Sequence, residues 1–276
     1  MNELVGKVAV ITGAASGIGR ALVERCVQAE MKVVLADVEV AALEEAEDAL
    51  RAQGADLLAV PTDVANAESV ATLAEKALAH FGAVHLLCNN AGVGVGGPIW
   101  QATVADWEWV LGVNLWGVIH GIRTFVPLML AQEEPCHIVN TASIAGLVST
   151  PGLGVYNVTK HGVVTLSETL YQELQAAGSQ IGVSVLCPAW VKTRIGQSER
   201  NRPGVDGQTP VPTLGGRGIA NAIAEGLAPA EVAAQVLAAV REDRFYVLTH
   251  PDFAPLIEQR HSDIQQVRNP TGTGLA

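Results

Sequence analysis

The chain has 276 residues, 49% hydrophobic and only 16% charged, which is enough apolar material for a large buried core. Its net charge is −11 and no Lys/Arg cluster offers a phosphate-binding stripe, which argues against nucleic acid as a partner. No apolar run approaches the roughly 18 residues of a membrane span, and the opening Met1-Asn2-Glu3-Leu4-Val5-Gly6-Lys7 has no signal-peptide segment, so a soluble, cytoplasmic protein with no membrane partner is expected.

Short apolar runs at 7–11, 32–36, 56–60, 84–88, 137–140, 182–186 and 245–248 predict seven strands. Most are continuous Val/Ile/Leu runs, the pattern of parallel strands covered on both faces. Between them, 39–53, 66–81, 103–132 and 155–177 read as helices, with Asn66 placed as an N-cap. The alternation predicts an α/β fold: a doubly wound, Rossmann-type parallel seven-stranded sheet with helices on both faces. No linker divides the first 190 residues, so 1–250 is expected to be one domain. Residues 194–228 break the pattern with a long irregular stretch rich in Gly and Pro, expected to be a substrate lid. The remainder, 251–276, is expected to be a tail that frays at its end unless a partner subunit holds it.

The first strand runs into Thr12-Gly13-Ala14-Ala15-Ser16-Gly17-Ile18-Gly19. Glycines allow a tight turn and a close approach of backbone N–H groups to a pyrophosphate, and the helix that follows points its positive end at the same place. The spacing is GxxxGxG rather than GxGxxG. Asp37 closes the second strand, where a carboxylate can accept from both adenosine ribose hydroxyls and repels a 2′-phosphate. Val38 follows it, and no Lys or Arg lies between 33 and 50, so NAD is expected rather than NADP. Asp63, after the third strand, is placed to meet the adenine, and Asn89-Asn90-Ala91-Gly92 gives a small-residue turn beside the dinucleotide.

Tyr156 and Lys160 stand at i and i+4, so phenol and amine share one helix face. A nearby ammonium favours the phenolate and lowers the Tyr pKa, which suits a proton-transfer device. The spacing alone is equally that of a surface Tyr packed on a Lys stem. Cys26, Cys88, Cys136 and Cys187 form no CxxC or zinc pattern and are expected to be buried free thiols, with no metal.

In chain order, the Gly13–Gly19 loop, Asp63-Val64, Asn89-Asn90-Ala91-Gly92, Val113-Asn114-Leu115, Thr141-Ala142-Ser143, Tyr156-xxx-Lys160 and Pro188 with Thr193 make up a specific ordered set. On these motifs the chain resembles the short-chain dehydrogenase/reductase (SDR) family, strongly over 5–195 and moderately over 229–248. The resemblance implies that Tyr156 is the general acid/base, that Lys160 lowers its pKa and holds the nicotinamide ribose, and that Ser143 hydrogen-bonds the substrate oxygen. Asn114 would hold a relay water behind Lys160. Cofactor contacts are expected from Gly13, Ser16, Gly17, Ile18, Gly19, Asp37, Val38, Asp63, Val64, Asn90, Ala91, Gly92, Tyr156, Lys160, Pro188, Val191 and Thr193. One departure is Ala189, where the family usually has Gly after Pro; a positive φ there would be unfavourable.

The segments bounding the pocket are mostly apolar. Val95, Ile144, Leu153 and Trp190 are expected to meet the substrate beside Ser143 and Tyr156, although Lys192 or Arg194 could reach inward. A neutral hydrophobic secondary alcohol or ketone fits such a wall. Two other readings stand beside this one: an NADPH-dependent biosynthetic carbonyl reductase, which Asp37 opposes, and a nucleotide-sensing protein without turnover, which full retention of Asn114, Ser143, Tyr156 and Lys160 opposes. The resemblance further implies a homotetramer or homodimer through the long helices 103–130 and 155–177.

Overall fold

The computed structural model describes residues 1–204, 214 and 217–272. Seven strands, β1 (Val8–Thr12), β2 (Lys32–Asp37), β3 (Leu57–Pro61), β4 (Leu86–Asn89), β5 (Cys136–Thr141), β6 (Ile181–Cys187) and β7 (Tyr246–Leu248), form one sheet in the order β3-β2-β1-β4-β5-β6-β7. Every pairing is parallel. Helices α1 (Gly17–Gln28), α2 (Val40–Arg51) and α8 (Pro229–Glu242) bury their apolar stripes with one set of strand residues. Helices α3 (Ala67–Phe81), α5 (Gly117–Gln132) and α6 (Gly154–Ala176) bury theirs with the other. Along β1, Ala9 and Ile11 join the first core while Val8 and Val10 join the second, and β2 divides in the same way. Alternation therefore puts nearly all residues of the central strands in one core or the other, and this is why those strands read as unbroken apolar runs.

Local chemistry sets the helix ends. Asn66 caps α3, its side chain accepting from the backbone of Glu68 at 2.9 Å and Ser69 at 3.2 Å. Gly82 then ends α3 in the left-handed region at φ 81°. Thr103 and Asp106 form a capping box at the start of α4 (Val104–Leu111). The stretch expected as one helix over 103–132 is a continuous helical run, α4 leading into α5 through a π turn at Gly112–Trp116 that carries Asn114. Length and mean hydropathy would let Val104–Gln132 cross a membrane. Here Val118, Phe125 and Met129 are buried in the cores, and Asp106, Glu108 and Arg123 lie along the same run.

Two regions depart from expectation. The tail forms helix α9 (Ala254–Gln265), and Asp263 fastens the chain beyond it by accepting from the Thr271 amide at 2.9 Å. The lid region is ordered at both ends: a short 3₁₀ segment, Ile195–Asn201, follows the sixth-strand loop, and α7 (Arg217–Glu225) precedes α8. The Gly/Pro-rich centre expected to close over substrate, residues 205–213, lies outside the described residues.

Candidate active site

The strand order reverses between β1 and β4, and such a reversal opens a crevice at the carboxyl edge of a sheet. The loop after β1 is tied to the loop after β4. The Thr12 hydroxyl accepts from the Asn90 amide (2.9 Å) and the Ala91 amide (3.1 Å), and Asn90 Nδ2 donates to the Thr12 carbonyl at 2.9 Å. The glycines are required by this closeness. A Cβ on Gly13 would stand 2.9 Å from Ala91 Cα, one on Gly17 would stand 3.1 Å from Thr193 Cγ2, and one on Gly19 would collide with the Gly13 carbonyl and the Asn90 amide. Gly13 and Gly17 also have positive φ, at 66° and 55°. Ser16 precedes α1 without capping it through its side chain, so the first-turn amides remain available to an anion.

Asp37 is held by two backbone amides, Ala15 to Oδ2 at 2.9 Å and Glu39 to Oδ1 at 3.0 Å. Val38 beside it is exposed. Asp63 turns one carboxylate oxygen to the Ala65 amide at 2.9 Å. Val64 packs against Gly117, where a Cβ would come within 2.8 Å of its methyl.

Ser143, Tyr156 and Lys160 come together at the inner end of the cleft. Ser143 Oγ accepts from the Ala145 amide (3.1 Å) and donates to the Pro188 carbonyl (3.2 Å). Lys160 Nζ donates to the Thr141 carbonyl at 2.8 Å and lies 5.6 Å from the centre of the Tyr156 ring. Burial pushes the Lys160 ammonium down to about 8, with Cys187 nearby acting the other way. Burial pushes the Tyr156 phenol up to about 12, against a hydrogen bond with Ser143 that lowers it. The upward direction is set by burial of the ring. Tyr156 packs against an apolar cluster of Leu153, Leu214, Ile219 and Ile223, and desolvation outweighs the Ser143 hydrogen bond.

Asn114 is fixed rather than open. Its Oδ1 accepts from the Val93 amide at 2.8 Å, and its Nδ2 donates to the Val93 carbonyl (2.9 Å) and the Thr159 hydroxyl (3.2 Å). Gly92 lies between it and Lys160, with Asn114 Oδ1 and Lys160 Nζ 3.5 and 3.7 Å from where a Cβ would stand.

The loop after β6 closes the site. The Ile144 amide donates to the Pro188 carbonyl at 2.9 Å. Ala189 carries no positive φ, so its methyl introduces no backbone strain. His250, just past β7, clamps this loop: its Nδ1 accepts from the Ala189 amide at 3.2 Å and its Nε2 lies 3.0 Å from the Trp190 carbonyl.

One continuous cleft is lined by Gly13, Ser16, Gly17, Ile18, Asp37, Val38, Asp63, Val64, Asn90, Ala91 and Gly92 at the nucleotide end, and by Ser143, Ile144, Leu153, Tyr156, Lys160, Pro188, Trp190, Val191 and Thr193 at the inner end. Gly19 and Asn114 sit behind its wall. Val95, expected to touch substrate, does not line it; it is buried with Val93, Val110 and Val155. Trp190 does line it and also packs on the lid cluster. Sequence reading missed Ile195, Leu214 and Ile223, which complete the apolar wall, and Glu39 and Arg200 at the nucleotide end. Nothing local signals the lid residues, which reach the cleft only through tertiary folding, whereas Glu39 stands two residues past Asp37. Arg194, considered as a substrate partner, instead approaches Glu39 at 3.8 Å.

The fold, the phosphate cradle and the Ser143–Tyr156–Lys160 cluster define a dinucleotide-dependent oxidoreductase architecture, and the short chain dehydrogenase pattern matches residues 7–204. The chain belongs to the short-chain dehydrogenase/reductase family. It is 35% identical to a CLA biosynthesis dehydrogenase/reductase of Lactiplantibacillus plantarum, over 94% of this chain and 93% of that one. It is 34% identical to 1-deoxy-11-beta-hydroxypentalenate dehydrogenase of Streptomyces exfoliatus, over 95% of this chain and 90% of that one. A Burkholderia phymatum SDR solved in complex with NAD superimposes with a TM-score of 0.95 at 50% identity, covering 98% of both chains.

Proposed function

We propose that this oxidoreductase uses NAD(H) to interconvert a neutral hydrophobic secondary alcohol and its ketone, with Tyr156 as general acid/base. The observation that carries the reading is the convergence of Ser143, Tyr156 and Lys160 on the inner end of a cleft whose outer end is the glycine cradle and Asp37. The cradle fits a dinucleotide: its glycines leave spaces that a Cβ would fill, and α1 opens toward it without a side-chain cap. Asp37 supports NAD over NADP, as does the NAD bound by the Burkholderia protein. Gly13, Ser16, Gly17 and Ile18 would hold the pyrophosphate, Asp37 the adenosine ribose, and Lys160 the nicotinamide ribose.

In the oxidation direction Tyr156 takes the alcohol proton, while Ser143 donates to the substrate oxygen. For that donation the Ser143 hydroxyl turns its proton from the Pro188 carbonyl, while the Ala145 amide keeps the oxygen in place. The hydride acceptor, and the positive charge that favours a phenolate, come from the oxidised nicotinamide when it is bound. Both ends of the Asn114 amide are taken by Val93 and Thr159, so a relay water beyond Lys160 would rest on Asn114 backbone rather than its side chain. Leu153, Trp190, Ile195, Leu214 and Ile223 give the substrate an apolar wall, which supports a hydrophobic ligand.

A screen of NAD reduction across secondary alcohols, from small alkanols to alicyclic and steroid-sized ones, tests this. Large neutral alcohols should give the highest kcat/KM. Preference for carboxylated or phosphorylated substrates, or a tenfold preference for NADPH, would overturn it. Exposed Trp116, Leu130 and Val158 on and beside α5 and α6 support self-association through these helices into a homotetramer; light scattering showing a monomer would refute it.

A further inference from the structure

The nucleotide end of the cleft contains a charged cluster that the proposed chemistry leaves unused. Glu39 stands two residues past Asp37 and donates its amide to Asp37 Oδ1 at 3.0 Å. Its carboxylate is held by side chains 161 and 162 positions further along the chain. Arg200 Nε and Nη2 donate to Glu39 Oε1 at 3.0 and 2.6 Å, and Asn201 Nδ2 donates to the same oxygen at 2.9 Å. Burial tends to raise the Glu39 carboxyl, but the hydrogen bonds from Arg200 and Asn201, with the charges of Arg200 and Arg194, hold it below the usual carboxylate range.

Arg200 is also aimed from behind. Its Nη1 donates to the carbonyls of Arg194 (3.2 Å) and Gln197 (2.8 Å), which fixes the guanidinium to its own segment independently of Glu39. That segment is bolted across the cleft: the Ser198 hydroxyl accepts from the Gly94 amide at 3.0 Å, and Arg202 pairs with Asp106 of α4. Asp37, Val38, Glu39, Arg200 and Asn201 line the same part of the cleft. A cation absent from residues 33–50 is therefore supplied by the fold, and the carboxylate beside it occupies its bidentate edge.

We propose that Glu39 is a cofactor-specificity residue: it occupies the Arg200 edge that would otherwise take a ribose 2′-phosphate, so that Asp37 excludes the phosphate by charge and Glu39 leaves it no free cation. The proposal rests on the reading of the cleft as a dinucleotide site. Arginine presents two parallel N–H donors that match phosphate geometry, so its release should be felt specifically by the phosphorylated cofactor.

The test is calorimetric titration of NAD and NADP into three purified variants, with thermal melting to confirm folding. Asp37→Ala removes the direct repulsion. Adding Glu39→Gln to it should shift the Kd ratio toward NADP by about tenfold or more, the scale of one charge-assisted contact. Adding Arg200→Met to that pair should abolish the gain. An unmoved ratio in the double variant overturns the proposal. So does a gain that survives Arg200→Met, since relief of repulsion would then account for it. If the Gln variant melts early, Glu39→Ala in the same background releases the same edge and is read in the same way. Failure of the wild-type protein to bind NAD would overturn the dinucleotide reading itself, whereas NAD binding with an unmoved ratio overturns the Glu39 role alone.

Discussion

At the scale of single residues, desolvation of Tyr156 works against its hydrogen bond with Ser143. Its phenol is pushed up to about 12 by burial, and the oxidised nicotinamide would bring the charge that opposes this. Substitution should separate its chemistry from binding. Tyr156→Phe is expected to lower kcat/KM by about 10²–10⁴, the range of a lost general acid/base, while NADH binding followed by fluorescence stays within about threefold. A variant with a tenth or more of wild-type turnover would remove Tyr156 from the mechanism. The Ser143, Tyr156 and Lys160 cluster was legible in sequence because hydroxyl, phenol and amine stand in a specific order within a larger ordered set of motifs. The direction of the Tyr156 shift was not legible. It depends on Leu214, Ile219 and Ile223, which pack on the ring from beyond a stretch with no regular pattern.

At the scale of elements, the strands were legible because both their faces are buried, so the period-2 signal becomes a continuous apolar run. The π turn at Gly112–Trp116 was not, because one extra residue in a helical turn leaves the apolar periodicity nearly intact. Helix α9 was hidden by its Gly/Pro-rich flank, and the burial of Val95 was hidden because an apolar side chain reads alike in a pocket wall and in a core. The phosphate loop gives a direct test of element packing. Gly19→Ala would drive a methyl into the Gly13 carbonyl and the Asn90 amide, so the β1–α1 turn must open. NAD affinity is expected to fall by about tenfold or more, and the melting temperature by several degrees, since a strained turn costs about 1–3 kcal/mol. Retained affinity would show that the turn relaxes without loss of the cradle. The loop after β6 gives a second test. The Ala189 amide donates to His250 Nδ1, which places the ring proton on Nε2 and aims it at the Trp190 carbonyl. His250→Gln can supply an acceptor and a donor, whereas His250→Leu supplies neither. The Leu variant should lose about tenfold in kcat/KM, the scale of one or two buried hydrogen bonds, and Gln should recover most of it. Equal losses in the two variants would mean that His250 fills space and does not orient the loop.

At the scale of the whole molecule, the end of the sheet opposite the cleft governs acid stability through His137. Ser184 Oγ donates to the Arg244 carbonyl at 2.7 Å, so His137 Nε2 must donate to Ser184 across their 2.8 Å contact. The other nitrogen, Nδ1, has no hydrogen-bond partner. It faces Gly182, where a side chain would collide with it, and Asp243 Oδ1 approaches no closer than 3.7 Å. Burial, with the charge of the N-terminus, pushes the imidazolium down to about 3 from an ordinary 6.5. The folded state therefore binds the proton less readily than the unfolded chain does. The contribution of neutral His137 is fully present above about pH 6.5 and is lost as pH falls from there toward about 3. The slope approaches ~1.4 kcal/mol per pH unit, so about 2 kcal/mol should disappear by pH 5. His85, His120 and His250 are also lowered by burial and act with the same sign, so the total wild-type slope is steeper than that of His137 alone. The carboxylates of Glu39 and Asp106 are held below their ordinary range and add their losses at more acid pH. Comparison with a non-titrating variant isolates the one group. His137→Gln keeps a donor for Ser184 at the Nε2 position and carries no titratable proton. Urea midpoints measured without cofactor at pH 7.5 and pH 5 should converge: the variant is weaker at pH 7.5 because a smaller side chain leaves a void, yet it loses about 2 kcal/mol less on acidification. Equal acid losses in the two proteins would mean that Asp243 closes its 3.7 Å gap and carries the imidazolium as an ion pair, so that the buried ring does not set the acid limit of the fold.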